Sequence, residues 1–179
     1  GNQQLIQQKN NIIVEDTVTY YYLNEMAKLI NHNNKIFFIP STGESNMPVL
    51  TNIFTGWKLD FIVLSFDTAS KREILEMIKK SAFLHNEEEA SKKLILMQGF
   101  PNVEDLFSTI DFKRFILQKR IGITESNSEY IENNNLSRII LVTNFLNYLK
   151  TEKISFADFD NTTRKNIQQL FEKINRALT

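Results

Sequence analysis

The strongest constraint on this chain is an alternation: short apolar runs separated by stretches of helical period, repeated as far as Pro101 and then abandoned. Ile12-Ile13-Val14, Lys35 to Ile39, Phe61-Ile62-Val63-Leu64 and Leu94-Ile95-Leu96-Met97 read as strands. The third has no polar member, the pattern of a strand buried on both faces. Between them, Thr17 to His32, Ser45 to Gly56 and Ala69 to Lys80 carry helical spacing. Ser45 reads as the cap of the second helix, with Pro48 in its first turn. The order β-α-β-α-β-α-β requires parallel strands joined by right-handed crossovers. The expected fold class is α/β: a four-stranded, mainly parallel sheet flanked by helices.

After Pro101 the reading is helical: 103–107, 111–119, 136–150 and 162–178. Ile139, Ile140, Val142, Phe145, Leu146 and Leu149 form one apolar stripe, and Ile167, Leu170, Phe171 and Ile174 form another, both suited to closing the core. The polar stretch Glu125 to Asn135 reads as a flexible link. Three parts are expected: a polar segment, 1–10, that reads as the end of a preceding helix; an α/β domain, 11–110; and a helical extension, 111–179, packed on it. Trp57 reads as a core anchor, and His32 and His85 as surface residues.

The chain has no cysteine and only two histidines, which excludes disulfide scaffolds, thiolate zinc sites, thiol catalysis and histidine-rich metal cages. No apolar run is long enough to span a membrane, and the expectation is a cytoplasmic protein without membrane partners. Lys plus Arg and Asp plus Glu number 21 each, so the formal net charge is zero. That argues against a protein coated along its surface by polyanion but leaves room for a local basic groove. Lys113, Arg114, Lys119 and Arg120 make one such basic stretch, and Lys71-Arg72 another; each reads either as a track for a nucleic-acid backbone or as a solvated face.

In open parallel sheets, ligands bind beyond the carboxyl ends of the strands. Glu15-Asp16 follow the first strand, Asp67 the third, and Glu104-Asp105 the fourth. Oxygen ligands gathered on one edge suit a hard cation such as Mg²⁺. The competing reading makes Asp16, Asp67 and Asp105 helix caps or first-turn acids.

Several segments, in order, resemble the TOPRIM domain of the OLD (overcoming lysogenisation defect) family of ATP-dependent endonucleases. Val14-Glu15-Asp16 leading to Tyr20-Tyr21-Tyr22-Leu23 is similar to the family's opening strand, acid and helix. Ile39-Pro40-Ser41-Thr42-Gly43 with Ser45-Asn46, then Gly56-Trp57 and Val63 to Ser70, resemble its second and third strands with their turns. Val103-Glu104-Asp105-Leu106-Phe107 with Asp111-Phe112, and Ser137-Arg138 before an apolar helix, resemble the later motifs. The likeness spans roughly 11 to 175.

The resemblance implies a TOPRIM/Rossmann-like fold and Mg²⁺- or Mn²⁺-dependent cleavage of DNA phosphodiesters. Glu15 would be metal ligand or general base, Asp67, Glu104 and Asp105 further metal ligands, and Arg138 a cation near the transition-state charge. Lys71, Arg72, Lys113 and Arg114 would meet the nucleic acid. The sequence departs from the pattern where Asp16 replaces a Gly, Thr19 an acid, Ser65 the first Asp of a pair, Ser70 a Gly and Arg138 a Lys. Removing a ligand or base costs on the order of 10² to 10⁴ in rate, so the expectation is cleavage weakened or lost. The alternative is a catalytically silent TOPRIM-fold module for assembly or nucleic-acid binding in a larger ATPase system. No phosphate-loop motif occurs, so no nucleotide site is expected here, and an ATPase would lie elsewhere in a longer chain or in a partner; a homodimer is left open. A phospho-accepting receiver-like domain fits less well, because no fifth strand ending in Lys follows.

Overall fold

A computed structural model describes residues 9–32, 35–84 and 86–179. His85, and all but the last two residues of segment 1–10, lie outside the described residues. Four strands form one all-parallel sheet in the order β2-β1-β3-β4: β1 (Asn11–Val14), β2 (Phe37–Pro40), β3 (Phe61–Phe66) and β4 (Leu94–Met97). This is the α/β class expected. Pro40 closes β2 opposite Val14, tolerated because β2 is an edge strand.

Strand alternation sends successive side chains to opposite layers. Ile12, Val14, Ile62, Leu64 and Phe66 pack with α1 (Thr17–Leu29) and with residues from the C-terminal half. Ile13, Phe61 and Val63 pack with α2 (Met47–Gly56) and α3 (Ala69–Ala82). Every residue of β3 is buried, Ser65 included, consistent with the apolar run Phe61 to Leu64 that opens it. Because β1 leads outward to β2 and β3 returns on the other side of β1, the strand order reverses at β1. That reversal, at the carboxyl ends of β1 and β3, is where open sheets bind ligands.

The C-terminal half shares the first of these cores rather than building its own. It comprises α5 (Thr109–Asp111), running directly into a π-helical segment, Phe112–Leu117, followed by α6 (Asn127–Asn133), α7 (Arg138–Glu152) and α8 (Asn161–Leu178). Aromatic rings stitch it together: Tyr22 to Phe145 at 5.3 Å, Phe145 to Phe107 at 5.3 Å, and Phe159 to Phe115 at 4.5 Å between centroids.

Several local expectations are corrected. The stretch 125–135 is not a flexible link but contains α6, capped by Ser126, with Asn127 and Ile131 buried. A further helix, α4 (Glu87–Lys93), occupies a polar stretch given no element above. Asn86 caps it, and acids in its first turn and lysines in its last complement the helix dipole. Ser45 lies in a 3-10 turn, Glu44–Asn46, and makes no cap; Pro48 already lacks one of the amides that a cap would serve. Segment 103–107 is a single 3-10 turn, Val103–Leu106. Trp57 is 65% exposed, because α2 ends at Gly56 and the residue beyond leaves its buried face. Ile139 and Ile140 are exposed in the first turn of α7, before that helix meets the core. His32 is not a free surface side chain: its ring lies against Phe171, and Nε2 is 2.8 Å from Asn175 Oδ1.

Candidate functional site

The carboxyl ends of β1, β3 and β4 deliver acids to one rim, and each arrives with a partner. Glu15, one residue past β1, is buried at 1% exposure. Lys71, in the first turn of α3, places Nζ 2.9 Å from Glu15 Oε1, with both side chains below a tenth exposed. The contact is ionic and off the axis of an aligned hydrogen bond; the ammonium donates instead to the Pro101 carbonyl at 2.7 Å and to Asn102 Oδ1. Thr68 caps α3 and accepts from the Lys71 amide, which fixes where that side chain starts. Burial pushes the Glu15 carboxyl above its ordinary range, and the Lys71 charge pulls back only part of the rise.

A second cluster forms around Arg138 at the start of α7. Its guanidinium donates twice to Glu104, Nε to Oε2 at 2.6 Å and Nη2 to Oε1 at 2.9 Å, and Nη1 donates to Asp16 Oδ2 at 2.9 Å. Glu104 is fully buried, so this fork compensates a charge that would otherwise be severely penalised. Burial alone would lower the guanidinium's pKa, but the bonds to Glu104 and the charge of Asp16 raise it. Asp16 also caps α1, accepting from the Thr19 amide at 2.8 Å. Against burial, the Arg138 charge and that amide hold its carboxyl below the usual range.

Asp67, one residue past β3, takes a two-pronged bond from Arg72 and accepts from the Gly99 amide at 2.8 Å. Together, with Arg72 the larger cause, these bring its carboxyl down to about 2. Asp105 accepts from the backbone amides of Asn102 and Ser128, each at 3.0 Å, and staples the β4 loop to α6. Of the competing readings for the aspartates, Asp16 is a helix cap, Asp105 belongs to a capping box with Asn102, and Asp67 is neither, since Thr68 caps α3.

The predicted rim residues therefore lie at one edge but are not pooled around one point. Glu15 is drawn to Lys71, Glu104 and Asp16 share Arg138, and Asp67 is held by Arg72. Among the described residues no three His, Asp or Glu side chains converge closely enough to hold a metal ion together. A divalent cation takes carboxylate oxygens turned toward it, whereas here both oxygens of Glu104 and of Asp67 bind guanidinium. Ser65, where the family has an acid, donates to the Phe66 carbonyl at 3.1 Å. As arranged, these donors fit side-chain cations rather than Mg²⁺. Lys71 and Arg72, expected to meet nucleic acid, are engaged within the rim.

Asn102 and Asn127 were not singled out from sequence. Asn102 orients the Lys71 ammonium, and Asn127 donates from its side-chain amide to the Glu104 and Phe107 carbonyls, each at 2.8 Å. Only the Pro101-Asn102 turn dipeptide signalled the first. Thr19 Oγ1 and Tyr22 Oη are buried on α1 without a hydrogen-bond partner among the described residues.

Lys113, Arg114, Lys119 and Arg120 gather elsewhere, around an open cleft of about 640 Å³ at the end of the π-helical segment. No helix among the described residues is long and apolar enough to cross a membrane. Compared with known protein families, curated proteins and solved structures, the chain matches none.

Proposed function

We propose that this chain is a TOPRIM-like module that binds nucleic acid and has lost phosphodiester cleavage, working beside an ATPase carried elsewhere in a longer chain or by a partner. One observation carries the reading: the acids that the OLD-family resemblance would assign to metal ions are each bound by a side-chain cation or by backbone amides of this chain. Lys71 neutralises Glu15, Arg138 neutralises Glu104 and Asp16, and Arg72 neutralises Asp67. Such internal pairing retains the scaffold's charge balance without a divalent ion. The test is nicking of supercoiled plasmid in Mg²⁺ or Mn²⁺ by the parent and by Glu15→Gln. Equal, background-level nicking by both is expected; nicking that depends on Glu15 would overturn the loss of cleavage.

A second reading, residual metal-assisted hydrolysis, draws on Glu15 itself. Its Oε2 is buried without a hydrogen-bond partner among the described residues, and the raised carboxyl is poised as a proton acceptor. The same plasmid experiment separates the two.

A further inference from the structure

We propose that the cleft at the end of the π-helical segment is the nucleic-acid site of this chain and that it takes single strands, its cations meeting phosphates while Tyr148 and Ile110 meet an unstacked base. This rests on the nucleic-acid reading above and says where and in what form the ligand binds.

Four cations, Lys113, Arg114, Lys119 and Arg120, line one concavity, and among the described residues no carboxylate lines it. Among the described residues none of the four enters an ion pair. Arg114 is the most committed: it lies 4.7 Å above the Phe115 ring and faces the charges of Asp111 and Asp158. Lys119 and Arg120 are exposed, and among the described residues neither enters an ion pair or sits over a ring. Like charges gathered in one concavity repel, and in a chain of zero net charge the grouping is not a by-product of general basicity. An anion relieves the repulsion.

The cleft's shape is held from behind. Gln118 adopts a left-handed conformation, φ 56°, and donates to the Asn144 carbonyl at 3.1 Å, tying the basic turn to α7. Tyr148, also on α7, packs edge-on to Phe115 at 5.8 Å and presents its half-buried ring to the cleft. Ile110, 64% exposed, adds apolar surface. π-Helical turns recur at functional sites because they displace side chains from the regular helical register. Cations that follow a backbone beside an aromatic platform on which bases stack are a means by which proteins hold single strands. A duplex keeps its base faces stacked on one another and offers none to Tyr148.

The test is fluorescence anisotropy of a labelled oligothymidylate titrated with the full chain over a range of salt. Three proteins are compared: the parent, a cleft variant carrying Lys119→Glu and Arg120→Glu, and a control of equal charge change, Lys92→Glu with Lys165→Glu. The expected result is about a tenfold or greater loss in the cleft variant, a shallower salt dependence by about one unit per lost phosphate contact, and little change in the control. Tyr148→Leu should weaken binding with the salt slope unchanged. Equal losses in the cleft variant and the control would overturn the cleft assignment while leaving nucleic-acid binding intact. Competition by duplex or by a nucleoside triphosphate as effective as by single strand would overturn the single-strand assignment. No binding by the parent at low salt would overturn the nucleic-acid reading and this inference with it.

Discussion

The sheet rim and the basic cleft hold cations of the same kinds under opposite conditions. At the rim, Lys71, Arg72 and Arg138 each touch a carboxylate, and two of those acids, Glu15 and Glu104, are almost wholly buried. In the cleft, Lys119 and Arg120 are exposed and enter no ion pair among the described residues. A buried pair is strongly destabilised when one member is lost, whereas an exposed cation contributes little to stability and remains available to a ligand. The rim's charges are committed to the fold, whereas the cleft's exposed cations are left available to a ligand. Substitutions should therefore cost stability at the first region and binding at the second.

Arg138→Leu is expected to have the largest effect, about 3–5 kcal/mol by urea denaturation, because it leaves Glu104 buried and uncompensated. Restoring the charge with Arg138→Lys should recover only part, since a lysine cannot reproduce the two-pronged bond. Lys71→Met comes next, at about 2–3 kcal/mol, limited because Glu15 can take up a proton instead. Adding Glu15→Gln to Lys71→Met should return much of that loss, and the double-mutant cycle measures the coupling. pH separates the pair further. Glu15 titrates above its ordinary value of 4.5 in the folded chain, so its favourable contribution is complete below 4.5 and is lost as pH rises through the folded value. Stability of Lys71→Met should fall more steeply over that rise than the parent's, and Glu15→Gln should flatten it.

Asp67→Asn should cost less, under about 1 kcal/mol, because Arg72 is half exposed. Its signature has the opposite sign. Asp67 is lowered from 3.8 to about 2, so its contribution is present above 3.8 and disappears as pH falls toward 2; the variant's acid unfolding should lose that component. The smallest change in stability, within about 0.5 kcal/mol, is expected for the cleft variant with Lys119→Glu and Arg120→Glu. A large loss there would erase the contrast between the two regions.

The layered architecture was legible because strand and helix periods differ and because β3 opens with four apolar residues, Phe61 to Leu64, the pattern of a strand buried on both faces. Boundaries and polar elements were less so. The helix α6 rests on a buried asparagine bonded to two distant carbonyls, Glu104 and Phe107, a contact that no local pattern announces. Placement of the acids at one rim followed from their position after each strand. Their pairing did not, since Arg138 lies 122 residues from Asp16 in sequence. Lys71 was visible beside the rim, but whether its ammonium turned outward or toward Glu15 depended on the loop carrying Pro101 and Asn102. The basic stretch around Lys113 was equally plain, although a helical reading could not show that a π-helical turn and a left-handed Gln118 would fold Lys119 and Arg120 back around a cleft.

Calorimetric titration of the parent chain with Mn²⁺, set beside Glu15→Gln, tests most directly whether the rim's acids are already satisfied from within. The expected result is no saturable heat in either protein, because Lys71, Arg72 and Arg138 occupy the carboxylates. Saturable, stoichiometric binding by the parent that disappears in Glu15→Gln would contradict it and return the rim to metal chemistry.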